Sequence, residues 1–211
     1  MKQKNLKIMA EAAVMVSLAL VLSIFTTVYS APLGGSVTLF GMVPIIIIGL
    51  RHGVSWGFAT AFVFASSYFL LSGVGRLGSW GISPYAFVMS SLFDYIIAYT
   101  LLGTAGFFKI FIDKSETKRN KIIFASIAVI LACLLRFAAH VIVGAVVWYE
   151  LTKYIWVADP YDPHLVNSVG MWVYSLIYNA QYMVFETLLT VAAVPAVVTI
   201  LSALKIKRGA T

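Results

Sequence analysis

The sequence predicts an all-α membrane protein, a six-transmembrane-helix bundle forming one unit over residues 1–211. Three observations carry this expectation. Of the 211 residues, 61% are hydrophobic and only 11% charged, where a soluble domain carries about 25% charged residues. The mean hydropathy is +0.95. Apolar runs of the length needed to cross a bilayer alternate with short segments that collect the charges. The formal net charge of +7 would suit nucleic acid in a soluble chain, but most Lys and Arg flank hydrophobic spans, so no nucleic-acid partner is expected. The first partner is the lipid bilayer.

Basic residues 1–7 lead into the first span, residues 6–28. A signal peptide also begins this way, and Val28-Tyr29-Ser30 resembles a cleavage site. The apolar run is long for that role and Pro32 follows closely, so the segment reads as a retained helix. Ala12, Ala13, Ser17, Ala19 and Ser23 give it small residues, with Ala13 and Ser17 one turn apart, and also Ala19 and Ser23. That spacing lets another helix approach closely, either within the chain or in a partner.

Residues 31–38 form a loop by their Pro and Gly content. Residues 39–50 are apolar but too few to span upright, and Arg51-His52-Gly53 closes them, His52 reading as a solvated loop residue. Residues 56–71 make the third span. A Gly-rich loop with Arg76 and Trp80 follows over residues 72–84. The fourth span, 85–111, is interrupted by Asp94-Tyr95. Residues 113–121 are the most charged linker and 122–149 the fifth span. An aromatic and acidic loop covers 150–167, and the sixth span, 169–204, ends in Lys205, Lys207 and Arg208. Cys133 lies alone in an apolar run and reads as a buried, reduced thiol. Basic residues gather at the N-terminus, at Arg51, in the 114–121 linker and at the C-terminus. The alternate loops hold only Arg76 and Lys153, beside Glu150, Asp159 and Asp162. This bias places both termini in the cytoplasm of a multi-pass cell-membrane protein.

The fifth span carries Arg136, His140, Gly144 and Trp148 at every fourth position, which puts them on one helical face. The stripe climbs about 18 Å. An ionisable residue inside a membrane points to function when a partner can be named, and Asp94 is that candidate. The plainer reading has Arg136 pairing with Asp94 or Glu186 to lock helices, with His140 a satisfied core histidine. The rise per residue puts Asp94, His140 and Asn179 at one level, about 14 Å below the outer surface, with Arg136 about 20 Å down. Trp148 and Tyr174 lie above that level, near Tyr178 and Tyr182. The composite is a blind, outward-opening pocket, walled by aromatics and floored by charge, suited to a flat or cationic heterocycle. Trp148 reads equally as an interfacial anchor beside Tyr149, Tyr154 and Trp156. Asn179 reads equally as glue between helices, and Glu186 as structural or partner-facing.

No Gly-x-x-x-x-Gly-Lys-Ser/Thr loop, His-Glu-x-x-His motif or Gly-x-Ser-x-Gly elbow occurs. The chain is therefore not expected to be an enzyme or to need a cofactor, and any primary energy source must come from a partner.

Segments across the chain resemble the thiamine-specific substrate-binding (S) component of energy-coupling factor (ECF) transporters. They are Glu-Ala-Ala-Val-Met-Val-Ser-Leu-Ala from Glu11, Gly-Gly-Ser-Val-Thr-Leu from Gly34, Asp-Tyr-Ile-Ile-Ala from Asp94, the His140, Gly144, Trp148 series, and Tyr174-Ser-x-x-x-Asn179. The resemblance implies a six-helix S component that captures thiamine from outside. It implies delivery to a transmembrane coupling protein with two ATPase subunits. It implies that Asp94 holds the charged part of the ligand, that His140, Trp148, Tyr174 and Asn179 line the pocket, and that Tyr95 and Gly144 belong to it. It assigns Ala13 and Ser17 to the coupling protein. Two positions depart from the family: its usual glutamate is Asp94 here, and its lysine one turn before the histidine is Arg136. A tryptophan found in some members falls near Ser36, and Tyr85 loosely matches an aromatic of the third outer-facing segment. An S component for another vitamin such as riboflavin, or a stand-alone secondary transporter, is the alternative.

Overall fold

The structure is a computed structural model that describes residues 2–31, 34–154 and 163–209, with side chains described for 3–31, 34–153 and 166–203. A bilayer offers no water to backbone N–H and C=O groups, so apolar runs fold as helices that satisfy them internally. The helices are α1 (Lys2–Phe25), α2 (Val43–His52), α3 (Val54–Ser79), α4 (Pro84–Lys114), α5 (Lys118–Lys153) and α6 (Met171–Gly209). All but α2 are long and apolar enough to cross a membrane. The ten-residue α2 is too short, as its length predicts, and is packed into the bundle with Ile45 and Ile48 fully buried. Apolar side chains also face outward: Val14, Phe62, Leu70, Leu134 and Leu188 are all exposed, which suits a lipid surface.

Residues 26–28, expected to end the first span, leave the helix instead. Thr27–Ser30 (β1) pairs antiparallel with Ser36–Thr38 (β2), with Thr27 opposite Thr38 and Ser30 opposite Ser36. β-branched Thr27, Val28, Val37 and Thr38 favour extended backbone, and Gly34 and Gly35 turn it with φ of 92° and 88°. Glu186, buried on α6, pins this hairpin: its carboxylate accepts from the Thr38 backbone N–H at 2.6 Å and the Thr38 hydroxyl at 2.8 Å. Glu186 is therefore structural.

Two expected loops are helix. Residues 72–79 continue α3 through a π-helical stretch, Phe69–Gly73. Leu77 is buried there, which offsets part of the helix cost of three glycines. Arg76 and Trp80 thus sit on and just after a rigid helix. His52 is in the last turn of α2, not in a solvated loop: Arg51 pairs with Glu11 of α1, and His52 Nε2 lies 3.2 Å from the other oxygen of that carboxylate. The charged linker shrinks to residues 115–117, where the Thr117 hydroxyl caps α5 by accepting from the Asn120 N–H. A short helix, Pro163–Ser168, precedes α6. Pro32, Trp156, Asp159 and Asp162 lie outside the described residues, as do the side chains of Tyr154, Lys205, Lys207 and Arg208.

Lipid gives helices no hydrophobic reason to associate, so close backbone packing must supply the attraction. Gly49, Gly53 and Gly57 recur every four residues across the α2–α3 corner and meet Gly103 and Gly106 of α4. A Cβ on Gly57 would lie 2.8 Å from the Gly103 carbonyl oxygen, and one on Gly103 would lie 2.6 Å from Phe58 Cα. At this contact α4 runs as a 3₁₀ helix, Leu101–Phe108, longer than such stretches usually persist. Replacing Gly103 by Val is expected to cost about 1–3 kcal/mol. Gly78→Ala, with nothing within 4 Å of its added carbon, should be neutral or slightly stabilising. Thermal unfolding in detergent compares the two, and equal melting points would refute the glycine seam.

Candidate functional site

Two π-helical stretches line one cavity, Ser91–Ile97 on α4 and Gly144–Trp148 on α5, and a third, Phe69–Gly73 on α3, packs behind Tyr95. A π-turn adds a residue to the helical turn and re-aims the side chains around it, which is why such turns gather at functional sites. Asp94 and Tyr95 lie inside the α4 stretch, and Gly144 and Trp148 bound the α5 stretch. Gly73 makes room for the result, since a Cβ there would sit 2.7 Å from the Tyr95 ring.

Asp94 is the centre. Its Oδ1 lies 2.8 Å from His140 Nδ1, and its Oδ2 accepts from Trp148 Nε1 at 2.8 Å. The two donors are eight residues apart on α5. Helical side chains lean toward the N-terminus, so Trp148 reaches back along the axis to the carboxylate that His140 already holds. A carboxylate only accepts, so His140 Nδ1 carries the hydrogen of that bond. In the neutral ring this leaves Nε2 as an acceptor, and Nε2 is buried without a hydrogen-bond partner. Among the described residues, no lysine or arginine lies within ion-pair distance of Asp94, and His140 is its one ionic neighbour.

Arg136 does not pair with Asp94 as expected. Its guanidinium donates to the Tyr99 hydroxyl at 3.0 Å and to the Met42 sulfur, and lies 4.3 Å from the centre of the Tyr99 ring. A charge at this depth needs partners within reach, and Tyr99, four residues beyond Tyr95 on α4, intercepts it. Arg136 and Tyr99 together form the floor.

The α6 wall follows from one small residue. Gly144 lets α6 approach: a Cβ there would lie 2.2 Å from Ser175 Oγ and 3.0 Å from Asn179 Nδ2. Ser175 donates to the Val141 carbonyl at 2.8 Å. Asn179 Nδ2 donates to the Ser175 carbonyl at 2.9 Å, while its Oδ1 accepts from Tyr182 at 2.6 Å. Asn179 Nδ2 also reaches the His140 carbonyl of α5 at 3.4 Å, so Asn179 joins the two helices and lines the cavity as well. Tyr174, Tyr178 and Tyr182 follow one another at four-residue intervals, with Tyr174 and Tyr178 stacked at 6.1 Å and Tyr182 edge-on to Tyr178 at 6.5 Å. The Tyr178 hydroxyl donates to the Gly34 carbonyl at 3.0 Å, bringing the hairpin over the cavity. Trp80 packs edge-on against Trp148 at 5.3 Å and closes the α3 side.

The cavity measures about 60 Å³, well below the roughly 300–1,000 Å³ of small-molecule sites. An organic guest therefore enters only if part of the lining moves aside.

Of the residues singled out in the sequence, Asp94, Tyr95, Arg136, His140, Gly144, Trp148, Tyr174 and Asn179 line this single cavity, and Ser36 lines it with them. Tyr85 does not. It sits 59% exposed in the first turn of α4, where the Ser83 cap and Pro84 start the helix with this side chain outward. Ala13 and Ser17 lie on the exposed face of α1, the Ser17 hydroxyl returned to the Ala13 carbonyl at 3.0 Å, while Ala12, Ala19 and Ser23 pack inward. Sequence reasoning missed Tyr68, Tyr99, Arg76, Trp80 and Ser175. The four-residue step from Tyr95 was a usable signal for Tyr99, and the neighbouring Tyr174 for nothing more than proximity to Ser175.

A bundle of apolar helices enclosing a polar, aromatic-walled cavity describes a multi-pass membrane protein with a small-molecule site. The model of the thiamine transporter protein family (Thia_YuaJ) matches residues 9–206. The thiamine transporter ThiT of Bacillus subtilis (strain 168) is 34% identical over 187 residues, covering 87% of this chain and 85% of that protein. The thiamine transporter ThiT of Lacticaseibacillus paracasei is 26% identical over 204 residues, covering 94% and 90%. The solved structure of ThiT from Listeria monocytogenes superposes with a TM-score of 0.71 at 18% identity, over 93% of this chain and 96% of that one. The fold is thus the all-helical one of that structure, and the chain belongs to the thiamine transporter family. That family is one of transporters, not enzymes, as the missing hydrolase motifs led us to expect.

Gly144→Ala should drive Ser175 and Asn179 off the α5 surface and lower stability by about 1–3 kcal/mol. Adding Ser175→Ala to the same chain should restore part of that loss, because the shortest contact is to the Ser175 oxygen. Denaturation of the two single variants and the double variant gives the coupling directly, and strict additivity would count against the steric account.

Proposed function

We propose that this protein captures thiamine from outside the cell as the S component of an ECF-type transporter. The observation that carries the reading is Asp94: a carboxylate held by two donors in an aromatic-walled cavity, with no lysine or arginine within ion-pair distance among the described residues. Thiamine brings a permanently charged thiazolium ring and an aminopyrimidine. Asp94 supplies the counter-charge, His140 Nε2 accepts from the exocyclic amine, and Asn179 presents its amide to the pyrimidine. Trp148 and Tyr174 cover the rings, Tyr95 forms the wall, and Gly144 keeps α6 close enough for Asn179 to reach the site. Arg136 sets the floor through Tyr99 and takes no part in orienting Asp94. The names of the relatives, both thiamine transporters, support this ligand.

The chain lacks a phosphate-cradling loop of its own, so the energy for release comes from a coupling protein and two ATPase subunits. Ala13 and Ser17, exposed on α1, form the contact for the coupling protein. The whole of residues 1–211 acts as one S-component domain. The Asp94 cavity opens outward and both termini are cytoplasmic, a reading supported by Lys4, Arg51, Lys109 and Lys121 gathering at the opposite end of the bundle.

Titrating the detergent-solubilised protein with thiamine should quench tryptophan fluorescence saturably through Trp148 and Trp80, while riboflavin should compete poorly. Asp94→Asn removes the charge but keeps the shape. It is expected to weaken binding by about 1.5–3 kcal/mol, roughly 10- to 150-fold in Kd. Unchanged affinity in a folded Asp94→Asn protein would remove the charge assignment. Separately, Ala13→Leu with Ser17→Leu should reduce co-purification with the coupling protein and ATPases and leave thiamine quenching intact. Full recovery of the assembly would take the contact off this face.

A further inference from the structure

A second cavity, about 490 Å³, opens at the end of the bundle opposite Asp94. It lies among the start of α1, the α2–α3 corner, the end of α4, the start of α5 and the end of α6. Its size is within the range of small-molecule sites. The site described above does not use it.

Its lining has two kinds of surface. Ile8, Leu50, Trp56 and Leu201 are apolar walls, and Lys4, Arg51, Lys109 and Lys121 bring four cations. Two carboxylates offset part of that charge: Glu11 pairs with Arg51, and Asp113 pairs with Lys109. Lys4 and Lys121 have no acidic partner among the described residues. Among the described residues, four cations against two carboxylates leave the cavity net positive, with the excess on Lys4 and Lys121.

These groups sit at helix ends, the level at which hydrocarbon gives way to headgroups. An occupant must therefore present an anionic head to Lys4 and Lys121 and an apolar body to Ile8, Leu50 and Leu201. A free phosphate would leave the apolar walls uncovered. A neutral lipid would leave the lysines unmatched.

We propose that this cavity binds the phosphate headgroup of an anionic phospholipid, held by Lys4 and Lys121, with the glycerol and upper acyl chain against the apolar walls. Basic pockets between helices at this level of a membrane favour such headgroups.

Native mass spectrometry of the full chain tests it, with phosphatidylglycerol and phosphatidylcholine of the same acyl chains supplied in equal amounts. The expected result is retention of phosphatidylglycerol over phosphatidylcholine by about tenfold. Lys4→Gln with Lys121→Gln should reduce this preference to within about twofold, and Lys121→Gln alone should lower it partway should the double variant not fold. Lys114→Gln with Lys118→Gln removes the same charge from outside the cavity and should leave the preference intact. Inorganic diphosphate at equal concentration should not displace the lipid. Equal retention of the two lipids overturns the proposal, as does a preference that survives loss of Lys4 and Lys121. Displacement by diphosphate assigns the cavity to free phosphate and equally overturns the lipid.

Discussion

The structure depends on the way one carboxylate is held. Asp94 lies within a bundle whose outer surface is apolar, where an ion without hydrogen bonds is several kcal/mol too costly to keep. Both of its oxygens are satisfied from α5, by His140 and by Trp148. That arrangement ties α4 to α5 and fixes the His140 ring, leaving its second nitrogen buried without a hydrogen-bond partner among the described residues. It also explains the local irregularities. Wide π-turns at Ser91–Ile97 and Gly144–Trp148 set the approach angles, and Gly144 allows α6 to close the third side.

The other two buried charges are resolved differently, and the difference matters for function. Arg136 is met by a phenol and a thioether, and Glu186 by the backbone and hydroxyl of Thr38. Arg136 forms no ion pair with Asp94. A direct Arg136–Asp94 bridge would have bound the helices together while neutralising the site. Diverting Arg136 to Tyr99 keeps the helices joined and leaves the Asp94 charge for a guest. Glu186 performs a mechanical task instead, holding the hairpin where Gly34, Gly35 and Ser36 reach the cavity.

Much of this was legible in the sequence because it followed from period and depth. The four-residue step from Arg136 to Trp148 and the shared level of Asp94, His140 and Asn179 located the cavity before any coordinates. The shortness of the apolar run at residues 39–50 foretold a helix too short to span upright. What escaped was set by tertiary packing. Glycines at 73, 75 and 78 signal a loop in any local reading, yet Leu77 finds a buried place that keeps them helical. The partner of Arg136 was misread because Tyr99 offers no charge to notice. Tyr85 was matched to the site by its position in the chain alone, and a helix start turned it outward.

The π-turn in α5 also bears on what change this protein tolerates. Such a turn is an α-helix with one residue inserted. Deleting any single residue between His140 and Trp148 would return this stretch to an ordinary α-helical repeat, with its backbone hydrogen bonds intact. Seven steps of about 100° nearly complete two turns, so the shortened helix would still present Trp148 on the face of His140. With all eight steps α-helical, Trp148 would instead stand about 80° away from His140, so the wide turn is what lets one carboxylate meet both residues across this spacing.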